Sequence, residues 1–338
     1  MRRMGAFCMS GGSMIKTILK VLVGLVVLAG LVGGGAAWEG QRRFIAPGPS
    51  AQPVTVVIPK GAGTELIAQS LEGAGVISSR WIFAIGAKLR HATLKAGEYA
   101  FPAAVSPEEA MRIIAEGKVV IHKLTVAEGL TVRQVVDLVA EADFLAGPVT
   151  RKPAEGWLLP ETWHMTRDEA RDDVLARMEK AMRQTVDVLW VARAPGLALK
   201  SKEEALILAS MVERETALDA ERPRVAAVFY NRLAKHMRLQ SDPTVIYGLS
   251  NGMGELDHPL TRDDLMSRHP WNTYVIDGLP QTPIANPGRA ALEAVLHPAK
   301  SEDLYFVADG SGGHAFARTL EEHNANVANW RKLEKAGK

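Results

Sequence analysis

Cysteine is nearly absent from this chain: Cys8 is the only one in 338 residues. That excludes an intrachain disulfide and a thiolate metal cluster. No His-Glu-x-x-His or paired His/Cys spacing supports zinc. No glycine-rich loop ending in Lys-Ser/Thr cradles a phosphate, and no Gly-x-Ser-x-Gly elbow presents a nucleophile. An excess of one charge is lacking too. The 40 Lys and Arg against 38 Asp and Glu leave a net +2. That steers nucleic acid weakly, and no basic block with interleaved aromatics occurs. At 47% hydrophobic and 23% charged residues the chain is compositionally globular. Its length allows two domains beyond a leader. These exclusions leave a cofactor-free, metal-free acid–base enzyme.

One long apolar run is present. Arg2, Arg3, Lys16 and Lys20 precede an uncharged stretch from Val21 to Trp38. About 18 residues at ~1.5 Å rise span roughly 27 Å, close to a bilayer core. The basic flank predicts that the N-terminus stays in the cytoplasm. Trp38 then sits at the far interface. A cleaved leader is the rival reading, because Gly35-Ala36-Ala37 would suit a signal protease. The run exceeds the ~7–15 residue core of such leaders, which favours an uncleaved single-pass anchor. Residues 1–13 do not read as leader, so Met14 is an alternative start. Residues 39–338 then lie outside the cytoplasmic membrane.

The sequence divides into an N-terminal extension (1–13), a basic segment and membrane helix (14–38), a tether (39–53), a small mixed region (54–145) and a helix-rich region (146–338). Gly40 to Pro53 is rich in Pro, Gly, Ser and Ala. Val54–Ile58 alternates like a strand, and Glu65–Leu71 reads as a helix. Ser106-Pro-Glu-Glu109 is a capping box opening a helix to about Glu116. Val119–Val126 reads as a strand and Val132–Ala140 as a helix. Val56–Gly61 and Leu124–Gly129 echo one another as strand, glycine turn, helix. Two such units would build a small α+β module, which weakly resembles a LysM-type glycan-binding arrangement; a generic α+β linker domain fits as well.

Further on, Thr166-Arg-Asp-Glu169 predicts a long helix to about Ala194, and Ser201-Lys-Glu-Glu204 predicts another. The second box gives Glu204 a structural role. Pro223–Leu233 continues as a helix, Asp303–Val307 reads as a strand, and Thr319-Leu-Glu-Glu322 opens the last helix. Irregular, proline-rich loops fill Arg238 to Pro287, and loops of that kind often carry sites. The predicted class is α+β.

Within the helix after Ser201, steps of about 100° put Leu208, Met211, Val212 and Glu215 on one apolar face. Glu213 and Arg214 point away on that phase, although a small drift would make Glu213 the interior carboxylate instead. A carboxyl turned inward tends to keep its proton near neutral pH, the state a general acid needs. In Glu155-Gly-Trp-Leu-Leu-Pro-Glu-Thr-Trp163, Trp157, Trp163, Glu161 and Thr162 could form a sugar platform, or the tryptophans could serve the core. Arg238–Tyr247 supplies Gln240, Ser241, Asp242 and Tyr247, and otherwise reads as an Asp-Pro turn. Asn272-Thr-Tyr274 and the segment holding Asn286 are further polar loops. His314, after Gly312-Gly313, could line a cleft or be incidental.

Taken together, these strings resemble the endolytic murein transglycosylase family. The resemblance rests on Glu155–Trp163, Ala209-Ser-Met-Val-Glu-Arg-Glu-Thr-Ala217, Leu239–Gly248, Ala285-Asn-Pro-Gly288 and Leu304-Tyr-Phe-Val-Ala-Asp-Gly310 followed by Gly312-Gly-His-Ala-Phe316. It implies a membrane anchor, a LysM-like subdomain and a periplasmic catalytic domain in the cell inner membrane. It also implies Glu215 as the catalytic acid, cutting the β-1,4 bond between N-acetylmuramic acid and N-acetylglucosamine. Asn231, Gln240, Asp242 and Asn286 would orient the glycan, with Glu161 as a cleft residue. Peptidoglycan strands are the implied partner, with cell-wall synthases beside them. A hydrolase using Glu161 or Asp242 to activate water is the alternative, as is a non-enzymatic tethered glycan-binding scaffold.

Overall fold

A computed structural model describes residues 11–336. Cys8, Arg2 and Arg3 lie outside the described residues. The chain forms two compact units, one ending at Val120 and one beginning at Ile121.

The first unit opens with helix α1, Gly11–Ile45. Its stretch from Lys16 onward is long and apolar enough to cross a membrane, and an 18-residue window within it has a mean hydropathy of 2.2. The helix does not stop at Trp38. Residues 39–45, expected in a tether, are its last turns. Glu39 pairs with Arg42 at 2.8 Å and Arg43 at 2.6 Å, so charges that suggest a solvated linker are i+3 and i+4 helix partners. Phe44, only 2% exposed, then docks into the unit's core.

That core lies between a two-stranded sheet and three helices. Strand β1 is Val54–Ile58, α2 is Thr64–Gly73, α3 is Arg80–Leu89, β2 is Gly97–Phe101 and α4 is Pro107–Glu116. β1 and β2 pair antiparallel, from Val54 opposite Phe101 to Ile58 opposite Gly97. Ile67, Leu71, Phe83, Tyr99, Phe101 and Ile114 fill the space beneath them. Half of the expected capping box of α4 is made: Ser106 accepts from the Glu109 amide at 3.2 Å, while the Glu109 carboxylate turns to Arg112, and Gly117 ends the helix in the left-handed conformation.

The second unit is helix-rich. It contains β3 (His122–Thr125), α5 (Val132–Glu141), β4 (Leu145–Ala146), β5 (Thr162–Met165) and β6 (Glu169–Ala170). Then follow α6 (Arg171–Val191), α7 (Lys202–Glu215), α8 (Arg222–Ala234), α9 (Asp242–Leu249), α10 (Arg262–Met266) and α11 (Arg289–Leu296). The unit closes with β7 (Tyr305–Ala308), β8 (His314–Ala317) and α12 (Leu320–Ala336). The strands form three small pairs: β3 with β5 and β7 with β8 antiparallel, β4 with β6 parallel. The two echoed turns both close on a left-handed glycine, Gly61 at φ 80° and Gly129 at φ 79°. They fall in different units.

The fold is the expected α+β, with local corrections. The capping box at Thr166 is not made. Asp168 takes φ 62°, Glu169 joins β6 and pairs with Arg177 at 2.7 Å, and α6 starts only at Arg171. The span 238–287 is not irregular throughout, because Pro243 sits in the first turn of α9, where its missing N–H costs nothing. α7 is the largest departure. It is buried around its whole circumference from Ala205 to Val212, because α6, α8, α9 and α11 all pack on it. A one-sided apolar stripe thus understates its position at the centre of the unit.

Candidate active site

Ser201 caps α7 by accepting from the Glu204 amide at 3.2 Å, and the Glu204 carboxylate reaches back to the Lys200 amide at 2.5 Å. The helix ends at Glu215, since Thr216 is already extended. Its last residue therefore lies at the negative end of the helix dipole, which disfavours a second negative charge.

Glu213 does not point to solvent. Its side chain is 5% exposed and pairs with Arg222 at 3.0 Å, while its second oxygen accepts from the Gly288 amide at 2.8 Å. Helix phase misplaces it because Arg222 and the Gly288 amide fold over this turn of α7 and receive its carboxylate. Both glutamates are interior; their partners separate them. Glu213 meets a guanidinium. Glu215 accepts a hydrogen bond from the Ser241 hydroxyl.

Glu215 opens partly into a cleft of about 320 Å³, which also receives Arg232, Gln240, Asp242, Tyr274 and His314. Dense enclosure by protein pushes its carboxyl up to about 7. The Ser241 hydrogen bond pulls the other way, the negative charge of Asp242 adds to the rise, and His314 and Arg232 oppose it. A carboxyl so placed is substantially protonated at neutral pH.

Ser241 occupies the N-cap position of α9, yet its hydroxyl does not cap that helix. It is turned to Glu215, while Thr273 Oγ1 accepts from the Ser241 amide at 2.9 Å. Thr244 Oγ1 lies 2.9 Å from Thr273 Oγ1 and bonds the Ser241 carbonyl at 2.6 Å, so three buried hydroxyl residues fix this turn. Before it, Gln240 takes a left-handed φ of 52°. Arg232 clamps that strained turn: Nη1 donates to the Leu239 carbonyl at 3.0 Å and to Gln240 Oε1 at 3.2 Å, and Nε donates to the Leu304 carbonyl at 2.6 Å. Tyr274 donates to Asp242 Oδ1 at 2.6 Å. His314 Nδ1 lies 2.7 Å from Glu221 Oε2, and its ring sits edge-on to Phe306.

Five of the residues singled out from the sequence thus meet at one cleft: Glu215, Gln240, Asp242, Tyr274 and His314. The others lie outside it. Asn231 donates to the Ser301 and Asp303 carbonyls at 2.8 and 2.9 Å. Asn272, fully buried, donates to the Leu265 and Ser267 carbonyls. Asn286, equally buried, accepts from the Leu158 amide and donates to the Leu130 carbonyl, both at 2.9 Å. These asparagines stitch loops together. Trp157 packs on the helical core under Arg183, and Thr162 Oγ1 lies 3.1 Å from Thr125 Oγ1 across the β3–β5 pair. Glu161 is exposed and accepts from its neighbour's amide at 3.0 Å. Tyr247 donates to Glu155 at 3.0 Å.

Sequence reasoning missed Arg232, His323 and the β7 residues Phe306 to Ala308, which also line the cleft. Nothing local signals Arg232: its burial depends on the 238–240 turn folding across it. Ser241 is visible as a polar loop residue, but its contact with Glu215 is not.

A carboxyl that burial raises to about 7, beside a polar cleft, has the character that general-acid chemistry needs. The family model described as YceG-like matches residues 56–329, and the chain belongs to the YceG-like family. It is 30% identical over 308 residues to the endolytic murein transglycosylase of Bacillus subtilis, covering 81% of this chain and 84% of that protein. It is also 30% identical over 330 residues to the protein of that name in Streptococcus pneumoniae R6, covering 82% of this chain but spanning only 58% of the relative. A crystal structure of a YceG-like protein from Listeria monocytogenes is 33% identical, covers 82% of this chain and 99% of its own, and superposes with a TM-score of 0.49.

Proposed function

We propose that this chain is a membrane-anchored endolytic transglycosylase of peptidoglycan, with Glu215 as its acid and base. The observation that carries the reading is Glu215 held by Ser241 at the cleft, where burial raises its carboxyl to about 7. The names of the relatives supply the substrate class.

Ser241 occupies Oε1 of Glu215 as an acceptor, which leaves Oε2 to carry the transferable proton. Glu215 gives that proton to the glycosidic oxygen as the bond to the anomeric carbon of N-acetylmuramic acid breaks. The same carboxylate then takes the proton of that sugar's 6-hydroxyl as its oxygen bonds to the anomeric carbon. A 1,6-anhydro end forms, no water is consumed, and Glu215 ends protonated as it began. An internal nucleophile removes the need for a second carboxylate, and such geometry supplies effective molarities of roughly 10⁵ M or more. Asp242 faces the same cleft and would favour positive charge developing at the anomeric carbon.

Of the two carboxylates that the hydrolase alternative could use to activate water, Asp242 lines the cleft with Glu215 and Glu161 does not. Mass spectrometry of sacculi digested with the full chain tests the rest. Anhydro ends, lighter by one water than reducing ends, support the proposal; reducing ends alone overturn it. Glu215→Gln should lose about 10²–10⁴-fold in cleavage rate.

The anchor reading places the N-terminus in the cytoplasm and the catalytic unit in the periplasm. Its support is the continuity of α1 through Gly35-Ala36-Ala37 into a core-docked Phe44. The β1–β2 sheet packed with helices supports a LysM-like, glycan-binding role for the small unit. On this reading cleavage falls on nascent strands near the membrane, sets strand length, and makes cell-wall synthases the expected neighbours.

A further inference from the structure

α3 buries one face and leaves another bare. Phe83, Ala84 and Ala87 turn into the core of the first unit. Trp81, Ile85 and Leu89, each four residues from the next, form a stripe on the opposite side that is 63%, 58% and 74% exposed. Scattered exposed apolar residues are ordinary, but a helical stripe of three large ones calls for a partner.

The position of the stripe identifies that partner. α1 and α3 belong to one compact unit and touch directly: a Cβ on Gly86 would lie 2.2 Å from the Phe44 ring. Between them runs a groove of about 270 Å³, to which α1 contributes Ala36, Ala37 and Gly40, and α3 contributes Ile85 and Leu89. Ala36 and Ala37 belong to the last turn of the apolar run that ends at Trp38. Ile85 and Leu89 are therefore level with the point where α1 leaves the hydrocarbon. Trp38 itself is 68% exposed there.

The charges around the stripe are already engaged. Lys88 pairs with Glu65 at 2.6 Å, and Arg90 reaches both Glu108 and Gln41 at 3.2 Å. The surface is thus apolar with a neutralised border, which suits the acyl–headgroup boundary and does not require anionic lipid.

We propose that α3 lies against the membrane surface, with Trp81, Ile85 and Leu89 seated in the lipid interface beside the exit of α1. This rests on the anchoring of α1 proposed above. It makes the small unit a second point of membrane attachment, one that fixes the unit's tilt as a single helix cannot.

The test uses the full chain with Cys8→Ser, reconstituted in phosphatidylethanolamine vesicles. One environment-sensitive fluorophore is attached at Ile85→Cys, Leu89→Cys or Ala29→Cys. All three positions are exposed, so folding is retained. The expected result is that probes at 85 and 89 are quenched by lipids spin-labelled near the headgroup and shielded from aqueous iodide. The probe at 29 should be quenched by lipids labelled deep in the chain. Deep quenching at 29, with free iodide access and no lipid quenching at 85 and 89, overturns the proposal while leaving the anchor intact. No lipid quenching at 29 removes the anchor, and the proposal with it.

Discussion

Ser241 gives its hydroxyl hydrogen bond to Glu215, joining the N-cap residue of α9 to the last residue of α7. An N-cap serine ordinarily accepts from its own helix, a contact worth about 1 kcal/mol. Here that contact is forgone, and the hydroxyl controls a carboxyl instead.

The two neighbours of Glu215 should move its titration in opposite directions. Ser241 favours the carboxylate, so Ser241→Ala should shift the alkaline limb of kcat/KM upward in pH. Asp242 disfavours it, so Asp242→Asn should shift the same limb downward. On the proposed mechanism the acid form is the active one, so wild-type activity should fall as pH rises through about 7. Shifts of the same sign in both variants would contradict this account.

Stability should carry the same signature. The folded state holds a proton on Glu215 up to about pH 7, whereas an ordinary glutamate releases it near 4.5. The folded form therefore binds more protons across that window, and stability is lost as pH rises through it, by on the order of 3 kcal/mol. Glu215→Gln removes this dependence. Thermal melts should show the variant more stable than wild type at pH 8, with the gap shrinking toward pH 5.

Glu213 should behave as its opposite. Glu213→Ala strands the buried Arg222 guanidinium and the Gly288 amide. The cost should be about 3 kcal/mol, the lower end for a broken buried pair, because Asp219 and Glu128 also face Arg222. Denaturant melts should record that loss, while the pH at which remaining activity falls should stay at the wild-type value.

Tyr247→Phe removes the hydroxyl that serves Glu155, a carboxyl that burial raises to about 6. An expected loss of about 1–2 kcal/mol in stability, with catalytic rate unchanged, would place this pair in the scaffold. A specific loss of rate would return Tyr247 to the site.

In the first unit, Gly86→Ala should push Phe44 out of its seat, since the new methyl would overlap the ring. Limited trypsin digestion at Arg42 and Arg43 should accelerate, because the last turns of α1 lose their anchor.

Local rules determined much of this protein from its sequence. The apolar run of α1, the caps at Ser106, Ser201 and Thr319, and the glycine turns at Gly61 and Gly129 are short-range features, set by neighbours within about four residues. The sequence also marked Glu215 and the polar loop after Arg238. Tertiary structure decided the rest. It enclosed α7 from Ala205 to Val212 and brought Arg222, nine residues on, over the Glu213 carboxylate. It withdrew Asn231, Asn272 and Asn286 to loop carbonyls, and it brought Arg232 to the cleft and Ser241 against Glu215. Backbone hydrogen bonding and helix capping are written within a turn or two of chain. The chemical state of a carboxyl depends on which distant charges and hydroxyls the fold brings against it.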